Sequence, residues 1–268
     1  MRQNYLPYLF LVVGFFPPAI DFAQEQQPVL DYFGDDKGLH ISSITDIRQD
    51  KTGFIWIATW EGLVRYDAHS FKYFRNIPGD STSLAHNFIA CLEEDAGGNI
   101  WAGLYRGGVC RYDRKSGMFR HYPYAEKLKL NPEPVTGLFF DRDGNLWLGV
   151  EPYGLIRLNP ETGDLKRYDL VTVETAPHLS RDALAYSNTA YRFWQDDTGS
   201  IWCTTRDGLY CFDPKTGRAT PCRPADFDPR DAEFRQTYSL LPDGDLLWMG
   251  GWSSGLQCYN RKTGAWEQ

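Results

Sequence analysis

The sequence has no run of lysine or arginine residues, and its 268 residues carry a formal net charge of −7. Because phosphate binding needs a basic face, this balance argues against a nucleic-acid partner. The sequence also has no CxxC pair, no Gly-x-Ser-x-Gly elbow and no glycine-rich phosphate loop. None of its five histidines lies at ligand spacing from a cysteine, so we expect no metal site and no cofactor.

Long apolar runs are absent except at the N-terminus. Arg2 precedes an apolar stretch over residues 6–16, and small residues up to Ala23 come before a polar Gln/Glu segment. This layout predicts a signal peptide over residues 1–23 and an exported chain, although Asp21 leaves the cleavage bond open. An uncleaved membrane anchor is the alternative, but the apolar core is short for a span and contains prolines.

A repeated motif dominates the rest of the chain. Each copy begins with an aspartate-containing turn, which is followed by a tryptophan and then a small residue. A Gly-Leu or similar pair comes next, and the copy ends with an aromatic residue or a leucine followed by Asp or Asn. The tryptophans are spaced 45, 46, 55 and 46 residues apart. They are Trp56, Trp101, Trp147, Trp202 and Trp248.

Each motif predicts one four-stranded antiparallel sheet. An apolar run forms the inner strand, the Asp-x-x-Gly stretch a tight turn, and the tryptophan strand fills the gap to a neighbouring sheet. The third strand leads through a second Gly-containing turn to a short outer strand. We therefore expect an all-β fold, a β-propeller over residues 29–268, with an open stack of sheets as the alternative. The predicted blades cover about residues 40–75, 84–122, 133–168, 188–220 and 234–268.

Six cysteines fall mostly within these predicted strands, in different blades. In an exported chain they invite a disulfide interpretation, but no two lie close in sequence as a CxxC pair. We predict buried thiols that act as small apolar side chains. The residues are Cys91, Cys110, Cys203, Cys211, Cys222 and Cys258.

The first repeat resembles the opening of the two-component regulator propellers. The resemblance lies in Phe33-x-x-x-x-Gly38-Leu39-x-x-Ser42-x-Ile44, followed by Asp50-x-x-Gly53-Phe-Ile-Trp56 and Gly62-Leu-x-x-Tyr66-Asp67. It extends over about residues 29–268. The family forms the periplasmic sensor half of hybrid two-component systems in Bacteroidetes.

The resemblance implies a periplasmic sensor rather than an enzyme. In that family an immunoglobulin-like domain, a membrane helix, a histidine kinase and a receiver follow the propellers. The sensors typically detect oligosaccharides, so the resemblance implies an oligosaccharide or other small ligand. It also implies a possible homodimer through the parent sensor, and membrane attachment only through a downstream helix. No kinase phospho-acceptor box and no ATP-binding glycine motif occurs in this sequence.

The blade count differs from that of the family. The family's propellers usually have seven blades, whereas this sequence has five repeats. We therefore expect an incomplete seven-bladed ring from a longer parent protein. The alternative is a complete five-bladed ring closed by residues 29–33.

The loops between the second and third strands carry residues suited to recognition. Aromatic rings stack on the apolar faces of sugars, and Arg or Glu side chains bond hydroxyls or uronates. These loops share one end of the sheets with three long connections between blades, and loops of that length are often functional. The ligand-binding candidates are Trp60, Glu61, Tyr105, Arg106, Glu151, Tyr153, Arg206, Asp207 and Trp252.

Three other interpretations remain. First, the ligand-binding candidates are ordinary exposed loop residues. Second, the propeller is a structural or protein-interaction module. Third, the chain is a streptogramin lyase-like enzyme, for which His86 is the one candidate base. The histidines do not share a repeat position, and the Asp-x-x-Gly turns account for most acidic residues, so we expect no catalytic residues.

Overall fold

The computed structural model describes residues 33–41, 43–224, 227–228, 236–252 and 254–267. The predicted signal peptide and residues 29–32 of the predicted closing strand lie outside the described residues. Residues 34–268 form one compact unit, distinct from residues 1–33. This larger unit is all-β and contains five four-stranded antiparallel sheets, which confirms the predicted propeller blades.

In each blade the four strands follow one another in sequence order across the sheet. The inner strands are β1 (Ile44–Gln49), β5 (Ile89–Glu94), β9 (Val135–Phe140), β13 (Ala190–Gln195) and β17 (Thr237–Asp243). The second strands are β2 (Ile55–Thr59), β6 (Ile100–Leu104), β10 (Leu146–Val150), β14 (Ile201–Thr205) and β18 (Leu246–Gly251). The third strands are β3 (Gly62–Tyr66), β7 (Val109–Tyr112), β11 (Gly154–Leu158), β15 (Gly208–Asp213) and β19 (Gly255–Asn260). The outer strands are β4 (Phe71–Phe74), β8 (Phe119–Tyr122), β12 (Leu165–Tyr168), β16 (Arg218–Cys222) and β20 (Ala265–Glu267).

Short helices occur only in connecting segments of the described chain. A 3-10 turn covers Asp35–Lys37, α1 covers Tyr124–Leu128 between blades two and three, and α2 covers Arg181–Ser187 between blades three and four. The Ser180 hydroxyl accepts the Ala183 N–H and caps the start of α2. Two of the three long predicted connections therefore contain a helix. The third is described only at residues 221–224 and 227–228.

Consecutive blades pack through their inner strands, and a tryptophan from each second strand fills the space in front of the next blade. Trp56 of blade one lies 5.1 Å from Tyr112 of blade two, measured between ring centroids. Trp147 of blade three lies 5.5 Å from Phe212 of blade four in the same way. The repeat tryptophans of the first four blades are thus buried at the four interfaces between described blades.

An aspartate in the first turn of each of the first four blades fixes the tryptophan of that blade. One oxygen of Asp141 accepts the backbone N–H groups of Asp143 and Asn145, and the other accepts the indole N–H of Trp147 at 2.8 Å. The sequence predicted only the backbone half of this arrangement, which we call the indole clasp. The equivalent indole hydrogen bonds are Trp56 to Asp50, Trp101 to Asp95 and Trp202 to Asp196, at 2.8 to 2.9 Å.

Glycine beside the tryptophan permits the close approach of neighbouring blades. A Cβ at Gly149 would lie 2.0 Å from the Ala190 carbonyl oxygen of blade four, and one at Gly137 would lie 2.2 Å from that of Tyr191. Any side chain at these positions would push the two sheets apart. The interface between blades three and four is therefore set by two glycines as well as by Trp147.

The fifth blade presents its outward face to solvent. Leu63, Val109, Leu155 and Leu209 are buried at equivalent positions, whereas Leu256 is 72% exposed. Trp248 is half-buried, unlike the other four repeat tryptophans. Its blade also lacks the indole clasp, since Pro242 occupies the position six residues earlier.

The first blade is covered only in part on its opposite face. Leu39 packs against Ile57 and Val64 of this face, and the Tyr73 hydroxyl donates to the Gly38 carbonyl oxygen. Nearer the axis, Ile47 is 58% exposed. The two terminal blades thus each carry exposed apolar side chains on the face turned away from the other blades.

All six cysteines are unpaired, as the sequence predicted. Four are buried, and Cys211 and Cys222 are half-buried. Burial raises the pKa of the Cys91 and Cys110 thiols to about 12, so both are neutral at physiological pH. They serve as small apolar side chains in the sheet interfaces.

The clasp predicts unequal effects of the same substitution in two blades. Replacing Trp147 by Phe removes the indole N–H from a buried carboxylate and shrinks the side chain, so we expect the free energy of unfolding to fall by about 2 to 4 kcal/mol. Trp248→Phe is the matched control, and we expect a loss below about 1 kcal/mol because that ring is half-buried and no aspartate lies six residues before it. Urea denaturation measures both, and equal losses would contradict the role of the clasp.

The clasp also predicts a dependence of stability on pH. Burial favours the neutral acid at Asp50 and Asp196, but hydrogen bonds from their tryptophan and threonine partners outweigh it and hold both pKa values below the ordinary value. Stability from these groups is present above the unfolded-state pKa of about 4 and is lost as the pH falls through the folded-state pKa. We expect the Asp50→Asn, Asp196→Asn double variant to lose stability less steeply than the native chain below about pH 4. Asp197→Asn, in an exposed pair with Arg142, serves as the control, and a native slope in the double variant would contradict the prediction.

Candidate functional site

The loops between second and third strands leave the sheets at the same end as the connections between blades, because antiparallel strands alternate in direction. We call this end the loop face. All nine sequence-predicted ligand residues belong to these loops. The structure brings some of them together and separates others.

An aromatic ladder joins blades one and two on the loop face. Trp60 and Tyr105, both predicted, flank Phe88, with ring-centroid distances of 5.1 Å and 4.7 Å. The rings of Phe88 and Tyr105 are nearly parallel, at 7°. Trp60 is 57% and Tyr105 42% exposed. The ladder therefore holds two partly exposed rings, in the loops that follow β2 and β6, against Phe88, which directly precedes β5.

A second group joins blades three and four around Arg206. The Nη2 atom of Arg206 lies 3.4 Å from the Oε1 atom of Glu151, and its guanidinium carbon lies 3.5 Å from the centroid of the Tyr186 ring. The Nε–H of Arg206 donates to the Tyr191 hydroxyl, and the Tyr191 ring lies 4.6 Å from that of Tyr238. Burial, with Tyr238 and Glu151 nearby, raises the pKa of Tyr191 well above its ordinary value, so its hydroxyl stays protonated.

Asp207 is buried, in contrast to the exposed position expected from its loop. Its carboxylate accepts a hydrogen bond from the Tyr210 hydroxyl at 2.6 Å, forms an ion pair with Arg223 and lies 3.3 Å from the His178 Nε2 atom. Its backbone N–H donates to the Thr205 hydroxyl. In this arrangement the Asp207 side chain holds the connection between blades four and five and does not face solvent.

Glu61 and Tyr153 form local contacts. Glu61 lies 3.7 Å from Arg75, and both side chains are exposed. The Tyr153 hydroxyl accepts the Asn131 N–H at 3.2 Å, and its ring packs on the core between blades two and three. Glu61 is therefore an exposed carboxylate beside Trp60, whereas Tyr153 is part of the scaffold beneath the loops.

Arg106 and Trp252 stand at separate places on the loop face. Arg106 is exposed in the turn that follows Tyr105, so it flanks the aromatic ladder. Trp252 is 84% exposed in blade five and belongs to neither group. Some of the predicted residues thus lie in one aromatic group and one polar group, whereas Asp207 and Tyr153 belong to the scaffold and Trp252 stands apart.

Sequence reasoning missed Phe88, Tyr186 and Tyr191 as members of these groups. Phe88 directly precedes the inner strand of blade two, and Tyr186 lies in α2. An aromatic residue immediately before an inner strand must emerge on the loop face, so Phe88 had a usable signal. Tyr186 had none, because its position depends on how a long connection folds.

Charged side chains line the axis enclosed by the inner strands. Arg48 of blade one bonds Glu93 of blade two at 2.9 Å, and Arg192 of blade four lies 3.9 Å from Asp46 of blade one. Burial raises the pKa of Glu93 above its ordinary value, while Arg48 opposes this rise. The Asp46–Arg192 pair therefore reaches across the axis between blades that are not neighbours in sequence.

His86 has a local structural contact. Its Nδ1 atom accepts the Phe88 backbone N–H at 3.0 Å and so helps to place the aromatic ladder. Within the described ranges, no group of three His, Cys, Asp or Glu side chains is arranged to hold a metal ion. The same described ranges contain no helix of the length and apolar character that a membrane span requires.

Solved structures share this fold at low sequence identity. The extracellular domain of a protein described as a hybrid two-component system from B. thetaiotaomicron aligns with a TM-score of 0.61 and 20% identity, over 88% of this chain and 36% of that one. PorZ, a surface component of the type-IX secretion system of Porphyromonas gingivalis, aligns with a TM-score of 0.60 and 16% identity, over 84% of this chain and 33% of that one. These likenesses show the fold, and this chain spans about a third of either protein's length.

Sequence comparison identifies the repeats. The family described as "Two component regulator propeller" matches residues 38–61 and 129–151, which lie in the first and third repeats. Histidine kinase P4 of Formosa agariphila is 44% identical over 78 residues, which are 29% of this chain and 6% of that protein. The first and third repeats therefore match the two-component regulator propellers, and the chain shares its fold with the extracellular domain of a hybrid two-component system.

Proposed function

We propose that the chain is the ligand-sensing propeller of a hybrid two-component histidine kinase, exported to the periplasm, and that it binds oligosaccharides on the loop face. The match of two repeats to the two-component regulator propellers supports the sensor role. The similarity to Histidine kinase P4 supports a kinase as the parent protein. The chain itself would bind the ligand and would not catalyse a reaction.

The aromatic ladder is the observation that carries the oligosaccharide proposal. Pyranose rings present C–H faces that stack on aromatic rings, and such rings bury large areas at small entropic cost. Trp60 and Tyr105 are exposed on either side of Phe88, so two stacking surfaces are held by contacts between two blades. Glu61 and Arg106 stand beside these rings and would bond sugar hydroxyls.

The polar group around Arg206 would bind a more distant part of the same ligand. Arg206 is held by Glu151, Tyr186 and Tyr191, so its position is fixed before a ligand arrives. A preorganised guanidinium loses little conformational entropy on binding a hydroxyl or carboxylate. We therefore expect the loop face to prefer glycans that carry an acidic sugar.

A signal would arise from different affinities of the ligand for two arrangements of paired sensors. Binding shifts such an equilibrium only by the difference in binding free energy between the two states. The loop face meets this requirement if part of the ligand contacts a second copy of the sensor. A homodimer of the parent protein is therefore part of the proposal.

A protein-interaction module is the second candidate, and the outward face of blade five favours it. Leu256 and Trp248 are more exposed there than their equivalents in the other blades. Another sheet or subunit packed on this face would bury them. Sedimentation velocity distinguishes this candidate function. A protein-interaction module predicts self-association or partner association that is weaker in Leu256→Lys and is unchanged by added glycans.

Glycan binding by the ladder can be measured by titration calorimetry against a panel of neutral and uronate-containing oligosaccharides. We expect Trp60→Ala and Tyr105→Ala each to weaken binding roughly threefold to tenfold, because each removes one stacking ring. Met118→Ala is the control, since Met118 is exposed in a turn at the opposite end of blade two. Absence of heat with every glycan, or equal affinities in the ladder variants and the native chain, would overturn the oligosaccharide proposal.

A further inference from the structure

Arg114 of blade two reaches across the first interface to the clasp of blade one. Its Nη2 atom lies 3.4 Å from the Asp50 carboxylate and also donates to the Thr52 hydroxyl. Its backbone N–H donates to the Asn99 side-chain oxygen at 3.1 Å. A guanidinium group thus covers the clasp carboxylate, and the Asp50 side chain is only 1% exposed.

Proline replaces this arginine in blade four. Pro214 follows Asp213 just as Arg114 follows Asp113, so blade four extends no guanidinium toward the clasp of blade three. An open cleft of about 470 Å³ lies there, between the first turns of blades three and four and the turn that holds Pro214. This cleft corresponds to the space into which Arg114 extends at the first interface.

The cleft is lined by more carboxylates than cations. Asp141, the clasp residue, lines it together with Asp143 and Asp213. Arg157 and Lys215 line it as well, but within the described chain neither forms an ion pair with any of these carboxylates. Three negative charges against two positive ones favour a cation over an anion in this space.

The side-chain oxygen of Asn145 adds a neutral acceptor to the cleft. Its Nδ2 group donates to Asp141, as the amide of Asn99 donates to its own clasp aspartate. The oxygen of Asn99 accepts the Arg114 N–H, whereas the equivalent residue in blade three is Pro160, which has no N–H. The oxygen of Asn145 therefore lacks that donor and is available to a ligand.

The remaining two interfaces do not share this combination. Between blades two and three, Pro160 holds the arginine position too, but Gly97 and Asn159 stand where the cleft has two of its three carboxylates. Between blades four and five, Arg261 holds the position and pairs with Asp245 of its own blade at 3.3 Å. Among the described interfaces, the third therefore combines a missing arginine with three carboxylates.

We propose that this cleft binds the guanidinium group of a small molecule. The group would take the place that the Arg114 guanidinium has at the first interface, with its N–H groups facing the Asp141 and Asp143 carboxylates and the Asn145 oxygen. A planar guanidinium donates to several acceptors in a fixed geometry, which a compact ammonium group cannot match. The cleft lies at the end of the sheets opposite the loop face, so the proposal does not rest on oligosaccharide binding.

Titration calorimetry of the whole chain with agmatine and putrescine tests the proposal. Both compounds are dications with the same alkyl chain, and an ammonium group in putrescine replaces the guanidinium of agmatine. We expect agmatine to bind roughly fivefold more tightly than putrescine, because the guanidinium fits the arrangement of acceptors. Absence of saturable agmatine binding, or putrescine binding of equal or greater strength, would overturn the proposal.

Pro214→Arg restores to blade four the arginine that blade two carries. The new side chain should occupy the cleft as Arg114 occupies the first interface and should weaken agmatine binding roughly tenfold or more. Pro214→Ala is the matched control, since it removes the proline without supplying a guanidinium, and it should bind agmatine as the native chain does. Equal agmatine affinity in the arginine and alanine variants would contradict the site.

Asp143→Asn tests the charge of the cleft without altering its shape. We expect it to weaken agmatine binding roughly threefold, because it removes one of the facing carboxylates. Asp197→Asn removes the same charge from the neighbouring turn, outside the cleft, and should have a smaller effect. Equal losses in the two variants would assign the binding to general charge and overturn the site. Trp60→Ala separates the two proposals, because it should leave agmatine binding unchanged even where glycan binding is lost.

Discussion

The hydrogen bond between a buried indole and the aspartate six residues before it links the turn within each of the first four blades to the interface with the next blade. In blade three, Asp141 ties its own turn with one oxygen and holds Trp147 with the other. The ring is thereby fixed in the orientation in which it meets Phe212 of blade four. One residue pair thus sets both the local hairpin and the packing of two sheets, and this explains why the motif repeats as a unit.

The same coupling explains why the blades are not independent. A four-stranded sheet cannot bury both of its faces by itself. Each blade therefore depends on the tryptophan side chain that the preceding blade packs against it. Blade five receives Trp202 on one face, but its own Trp248 is neither clasped nor fully covered. Blade one receives partial cover from Leu39, which shields the outer part of its face and leaves Ile47 exposed. Stability should therefore decline toward both terminal blades, as in other repeat arrays.

The sequence predicted the sheets because their signals are local. The spacing of the tryptophans and the glycine-containing turns fix strand order without knowledge of distant contacts, and the observed strands follow it. The fate of a loop residue depends on distant partners, and here prediction was less complete. Asp207 was predicted as a ligand contact from its loop position, but Arg223 and His178 lie 16 and 29 residues away and enclose it. Phe88 was missed because recognition residues were sought only in the loops between second and third strands.

Departures from the repeat are more informative about function than the repeat itself. The clasp recurs in each of the first four blades, because each of their interfaces uses the same aspartate–tryptophan pair. By contrast, Trp60 and Tyr105 occupy loop positions where the repeat imposes no aromatic ring: Glu151 and Arg206 stand there in blades three and four. A propeller can vary such positions at little cost to its fold, and ligand specificity can therefore evolve at them independently of the clasp.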